Sequence, residues 1–346
     1  MGTQVEYGEI DAVLQQITGK RIGFAQMVEE LTAGGQRISA GNGMEILGNV
    51  LNEQFKSHSR TIGYLILLII SAAVLSTIAK AFRNRQISAV GFYMIYLLLF
   101  MIMMKSFGVC YELAETVISN LIEFMKVLMP AYLMAAALTS YSASAVVYYE
   151  GFLIMIYYLQ KLVMFAVLPG IRCYVLLAMA GNLGEVDFFS RGRKGLKKGI
   201  LLLLKGMIGV TAGLQMIQGM LTPAVDQLKH TVISKSVSSL GELGNIAQNL
   251  TDVMLGSGVL LKNGIGAAAA VIIVMICLIP VVEVGGYVIF YQILAAAAEP
   301  VSDEKLTGAI GDMAEGIGLL AKLLLTVGAM FLLTIAMVCV TTGGIQ

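Results

Sequence analysis

Charge is what this sequence has least of. Only 13% of its 346 residues are Asp, Glu, Lys or Arg, against about 25% in an ordinary soluble domain. The net charge is +1, and no cluster of Lys and Arg is interleaved with aromatic side chains, which argues against nucleic acid as a partner. Histidine is nearly absent: His58 and His230 stand alone, too few for a metal site built on imidazoles or for Ser/His/Asp chemistry. The four cysteines, Cys110, Cys173, Cys277 and Cys339, lie far apart without CxxC spacing and read as small interior residues. Neither a GxxxxGK[ST] phosphate loop nor a GxSxG nucleophile elbow occurs, so the chain is not expected to be an enzyme or to need a cofactor.

What is present is apolar. Hydrophobic residues make up 58% of the chain and its mean hydropathy is +0.83. The runs Thr61–Ala79, Ile87–Met104, Ala267–Ala298 and Leu319–Val340 approach or exceed the roughly 20 residues that cross a bilayer as a helix. They are too long and too unalternating for barrel strands, and in lipid a backbone satisfies its own polar groups only as a helix. The expected fold is therefore all-α, a polytopic membrane protein of about seven to nine transmembrane or re-entrant helices with amphipathic extracytoplasmic helices, in contact with the lipid bilayer.

Residues 1–60 are polar enough to stand apart from the transmembrane domain, 61–346. They carry two amphipathic stripes, Ile10, Val13, Leu14, Ile17 and Phe24, Met27, Val28, Leu31, each at i, i+3, i+4, i+7. Seven acidic residues against five basic ones in this tail, with Lys80, Arg83 and Arg85 following the first span at 62–79, predict an extracytoplasmic N-terminus by the positive-inside rule. Export of such a tail is easiest from a precursor with a cleaved signal peptide, although none opens this chain. The segment "SRGRKGLKKG", with Arg191, Arg193, Lys194, Lys197 and Lys198, is the second cytoplasmic marker. Between the two markers the crossings must be even in number, and 87–108, 118–138, 146–168 and 170–189 are the candidates. A span at 199–221 then leads to 222–262, read as an external helical hairpin bent near Gly241 or Gly244. The interlude 299–316 is read as a short external connection before the last span, about 317–341.

Ionisable groups inside the spans are the candidate functional residues, because each is costly unless it faces protein or water. Glu283 lies in a long apolar stretch beside Pro280, Gly285 and Gly286. Proline removes a backbone donor and glycine loosens a helix, so a break there is expected, the arrangement in which broken transporter helices meet an ion or substrate. Its alternative is a turn between two full spans. Glu150 and Lys161 are eleven residues apart, about three turns along one face, and are candidate pore or transport residues or snorkelling end groups. Small-residue spacings such as Gly209/Gly213 and Gly264/Ala268 suit close helix contacts, either within the chain or between copies in a homo-oligomer.

Three stretches resemble one family. "AVDQLKHTVISKSVSSLGELGNIAQNLTDVMLGSGVLLKNGIGAAAAVIIVMICLIPVVEVG" (224–286), "YQILAAAAEPVSDEKLTGAIGDM" near the C-terminus and "MPAYLMAAALTSYSASAVVYY" (129–149) are similar to the stage III sporulation protein AE family of endospore-forming bacteria, a likeness extending from Ile62 to the end. The resemblance implies a polytopic subunit of a multi-protein channel joining mother cell and forespore, in the mother-cell-derived membrane. It also implies other channel membrane proteins, a separate secretion-type ATPase and ring-forming components as partners. A secondary transporter with its site near Glu150 and Glu283, and a scaffold anchoring ring components through 1–60 and 222–262, are the alternatives.

Overall fold

The computed structural model describes residues 8–18, 23–32, 85–137, 143–183, 189–237, 242–300 and 304–341. Every regular element among them is helical: α1 (Gly8–Thr18), α2 (Phe24–Thr32), α3 (Arg85–Ala137), α4 (Ala143–Leu162), a π turn (Val163–Val167), α5 (Leu168–Gly181), α6 (Ser190–Val237), α7 (Glu242–Ala298) and α8 (Glu304–Thr341). Five helical stretches among the described residues are long and apolar enough to cross a membrane. The chain is an all-α membrane protein. The expected first span, 62–79, and the markers Lys80 and Arg83 lie outside the described residues.

Segments read as separate spans prove continuous. Residues 87–108 and 118–138 fall on the single 53-residue helix α3, about 80 Å long at 1.5 Å per residue. Its charged residues Glu112, Glu115, Glu123 and Lys126 are all exposed while Ala114, Ile118, Leu121 and Met125 are buried. One amphipathic face thus carries the helix past the charged stretch around the start of 118–138. Residues 146–168 and 170–189 likewise join, through the π turn, into a run from Ala143 to Gly181. Pro169 supplies no N–H to the preceding turn, and a π turn just before it changes the hydrogen-bond register so that the helix continues.

The expected break at Pro280, Gly285 and Gly286 is absent. All three lie inside the 57-residue helix α7, which lies against α8 along a long seam. A proline costs one local hydrogen bond, whereas an apolar chain in lipid has no partner for the several groups a full break would free. Because α7 does not double back, the start of α8 that follows it lies at the end of the bundle where α6 begins. Residues 304–316, part of the stretch 299–316 expected to be external and so opposite the basic segment, lie at the same end of the bundle as that segment. The hairpin expected at 222–262 is helical on both flanks, as the end of α6 and the start of α7, with 238–241 between them; its side chains lie outside the described residues.

α8 is the central helix, in contact with α3, α5, α6 and α7. Glycine permits the closest of these approaches. A Cβ on Gly316 would overlap Val175 of α5, one on Gly266 of α7 would overlap Cys339 of α8, and one on Gly328 would sit 2.7 Å from Cys277 Sγ of α7. α1 rests on α3 and α2 on α7, with Ile10, Leu14, Phe24 and Val28 buried in the same cluster as the bundle core. The Asp11 carboxylate of α1 accepts a hydrogen bond from the Phe24 N–H at 2.7 Å, satisfying a free donor at the start of α2.

Candidate functional site

Two polar constellations interrupt the apolar core. The first gathers at the end of the bundle where α6 and α8 start and α5 finishes. On α6, Arg193 and Lys197 are four residues apart and share a face; on α8, Asp312 and Glu315 are three apart and share the facing one. Arg193 pairs with Asp312 and Lys197 with Glu315. α5 completes the cluster: Asn182 Nδ2 donates to Asp312 Oδ2 at 2.7 Å and to Ala178 O at 3.0 Å, and the Tyr174 hydroxyl donates to Glu315. The Tyr96 hydroxyl of α3 donates to the Met179 carbonyl of α5 nearby, and Lys305 of α8 lies 5.9 Å from the Phe92 ring centroid on α3. Four helices are thereby tied together at one end.

The two ion pairs differ in burial. The Arg193 and Asp312 side chains are 18% and 19% exposed, those of Lys197 and Glu315 33% and 38%. The inner pair is costly to break one-sidedly, because the surviving charge keeps its desolvation cost; the outer pair is screened by solvent. The other basic residues of the segment, Arg191, Lys194 and Lys198, are exposed. The five bases read in sequence only as orientation markers thus divide into two structural partners and three surface charges. A signal for this exists in the helical spacings of 193/197 and 312/315, but reading 299–316 as opposite the basic segment hides it.

The second constellation runs along the contact of α3 with α7. Glu283, Tyr287 and Tyr291 recur every four residues on α7, and Ser106 and Cys110 are four apart on α3, so each set forms a ridge. The Glu283 carboxylate interacts electrostatically with Cys110 and with Tyr287, and Tyr291 interacts with Cys110 while facing Ser106. Ser106, Cys110, Tyr287 and Tyr291 are buried and Glu283 is half-buried. A smaller polar contact lies between α6 and α8, where Gln215 Nε2 donates to Thr334 Oγ1 at 2.6 Å.

The other expected site residues are elsewhere. Lys161 is on an exposed face of α4, its Nζ donating to the Tyr157 hydroxyl at 3.3 Å and lying 5.5 Å from the ring centroid. Glu150 lies on α4, and its side chain is outside the described residues. Arg85 opens α3, the helix whose next turns reach Lys305 and Met179. Among the described residues, no three His, Cys, Asp or Glu side chains converge as a metal site.

The bundle can now be set beside known proteins. The model of the stage III sporulation protein AE family matches residues 22–342, nearly the whole chain and every helix described from α2 onward. The chain belongs to the stage III sporulation protein AE family. It is similar to the stage III sporulation protein AE of Bacillus subtilis (strain 168), with 22% identity over 317 residues, covering 91% of this chain and 79% of that protein. No solved structure matches the chain. For this member of the family, the end cluster and the α3–α7 seam are the two larger polar groupings in the bundle among the described residues.

Proposed function

We propose that the chain is a non-catalytic integral-membrane subunit of a multi-protein channel that joins mother cell and forespore. The observation that carries this reading is the family match across residues 22–342, joined to five long apolar helices among the described residues. The absence of a phosphate loop from the sequence makes a separate secretion-type ATPase the natural energy source. By the positive-inside rule the end bearing Arg191, Arg193, Lys194, Lys197 and Lys198 faces the mother-cell cytoplasm, and the N-terminal region, 1–60, faces the space between the two membranes. Other channel membrane proteins bind the flanks of the bundle. On α6, Gly206, Gly209 and Gly213 supply a small-residue face on which a Cβ would meet nothing within 4 Å among the described residues, suited to a helix of a partner or a second copy.

The test is complementation in an endospore-forming host lacking its own family member, with a fluorescent fusion to follow location. Restored late forespore gene expression, with the fusion in the membrane around the forespore, is the expected result. A fusion spread over the whole cell membrane with no restoration overturns the reading. The polar seam around Glu283 favours one other reading, a secondary transporter. For a transporter, Glu283→Gln would abolish gradient-driven flux in proteoliposomes containing this chain alone; for a channel subunit, such flux is missing from the unmodified chain as well.

A further inference from the structure

One side of α3 changes character along its length. At about 100° per residue, Met94, Leu97, Leu98 and Met101 share one arc of the helix, and Glu112, Glu115, Thr116, Ser119, Glu123 and Lys126 fall on the same arc about five turns further on. All of them are exposed. The polar part is about 21 Å long, and among the described residues no large apolar side chain of α3 is exposed between Val109 and Met134. Its neighbours at that level are apolar outside. On one flank Tyr111 and Lys126 meet Arg172 and Gln160, and between those two partners Phe165 is 85% exposed. On the other flank α3 runs past α7 from Glu283, beside Cys110, to Gly266, beside Tyr132, and between these Val274, Met275 and Leu278 are exposed. Both flanks suit lipid at the depth where α3 presents three carboxylates and an ammonium, so the stripe is not a length of helix that has left the bilayer. Facing acyl chains, each of these charges is costly, and a dry protein partner would impose the same desolvation.

We propose that this side of α3 faces a second copy of the chain: Met94, Leu97, Leu98 and Met101 meet their counterparts in a dry contact, and the stretch from Glu112 to Lys126 lines a water-filled gap beyond it. An identical chain carries, at the same depth, an apolar patch to set against the patch and a polar stripe to set against the stripe, and symmetric self-association is the commonest form of assembly. Rotation about an axis normal to the membrane brings equal levels together, so Glu112 approaches Glu112 and Glu115 approaches Glu115. Like charges repel strongly across a dry contact and weakly across water, which is why the polar part is a gap and the apolar part a contact. The proposal rests on the channel reading for its purpose, since water at membrane depth is a path for polar solutes.

The experiment uses Ser119→Cys, with Leu278→Cys as the lipid-facing reference at the same level, each in the full chain carrying Cys173→Ser. Membranes from cells expressing the chain alone are opened by freezing and thawing and treated with a trimethylammonium-bearing methanethiosulfonate, and each cysteine is read by peptide mass spectrometry. A thiol reacts as its thiolate, which needs water around it, so Ser119→Cys is expected to react about tenfold faster than Leu278→Cys. Thr116→Cys is expected to match it and serves where Ser119→Cys folds poorly, and Met101→Cys is expected to give a disulfide-linked dimer on mild oxidation. Equally slow labelling of the stripe and of Leu278→Cys places the stripe in lipid and overturns the proposal. Equally fast labelling places the whole level outside the bilayer and overturns it too, as does fast labelling of the stripe without a Met101→Cys dimer. Complementation reads the channel role separately: a chain that restores late forespore gene expression while its stripe stays unreactive refutes this proposal alone, and one that labels as expected without restoring it refutes the channel reading alone.

Discussion

α6 and α8 start at the same end of the bundle, and both are long, apolar and rich in glycine, yet they use those residues in opposite ways. α8 is enclosed by four helices, and its Gly316 and Gly328 lie where a Cβ would strike Val175 or Cys277. α6 lies at the edge: Leu202, Val210 and Met216 are exposed, and Gly206, Gly209 and Gly213 face open space among the described residues. The first turns of the two helices are nonetheless held together through Arg193–Asp312 and Lys197–Glu315. Similar composition thus makes a post in one place and an outer stave in the other, and what divides them is the number of neighbours each helix has.

The contrast can be broken most forcefully at Gly316. Gly316→Ala is expected to cost about 1–3 kcal/mol through overpacking, and Gly316→Leu to leave no folded protein, measured as the fraction monodisperse in detergent after heating. Val175→Ala should recover most of the Gly316→Ala loss, since Val175 is the side chain in the way. If Gly316→Leu folded normally, the close approach of α5 to α8 would be refuted.

Next in size is the inner ion pair. Asp312→Ala leaves the Arg193 guanidinium largely buried and removes one of the two acceptors of Asn182, an expected loss of about 2–3 kcal/mol. Thermal unfolding of Asp312→Ala, Arg193→Ala and the double variant should show that the second substitution costs far less once the first is made. Strict additivity would mean the pair does not hold α6 to α8. Lys197→Ala comes third, at about 0.5–1 kcal/mol because solvent screens that pair, and its effect should shrink further in high salt.

The smallest effect is expected on the stave itself. Gly209→Ala should leave the melting temperature of the isolated chain unchanged, because the added methyl meets nothing within 4 Å among the described residues. A drop matching that of Gly316→Ala would erase the contrast between the helices. A loss of co-purifying membrane partners with normal stability would sharpen it, marking α6 as an outer face used in assembly.

Helical character and membrane insertion could be read from composition, and both amphipathic stripes of the N-terminal region could be read from period: Ile10, Leu14, Phe24 and Val28 are buried in the helices expected of them. Where helices stop could not. Glu112 and Glu115 fall between the candidate spans 87–108 and 118–138, yet they are on the exposed face of a helix whose other face is buried. Pro280 and the glycines after it looked like a hinge, yet α7 runs straight through. Local sequence registers the cost of a charge or a proline, but not the neighbouring helix that compensates it. Without that break, α8 starts at the same end of the bundle as the basic segment, and Asp312 and Glu315 meet Arg193 and Lys197 there. Glu283 was visible as an odd carboxylate; that Cys110, Ser106 and two tyrosines stand with it needed the pairing of α3 with α7.

The sequence by itself determined that this chain is a bundle of apolar helices, because hydropathy and helical period are carried by residues close together in the chain, and its likeness in quoted stretches pointed to the stage III sporulation protein AE family. Only the tertiary structure decided which charges meet, which glycines are filled against and where polar groups gather inside. Arg193 and Asp312 are 119 residues apart, and no local pattern couples groups at such a distance; their contact follows from the order in which whole helices cross and return.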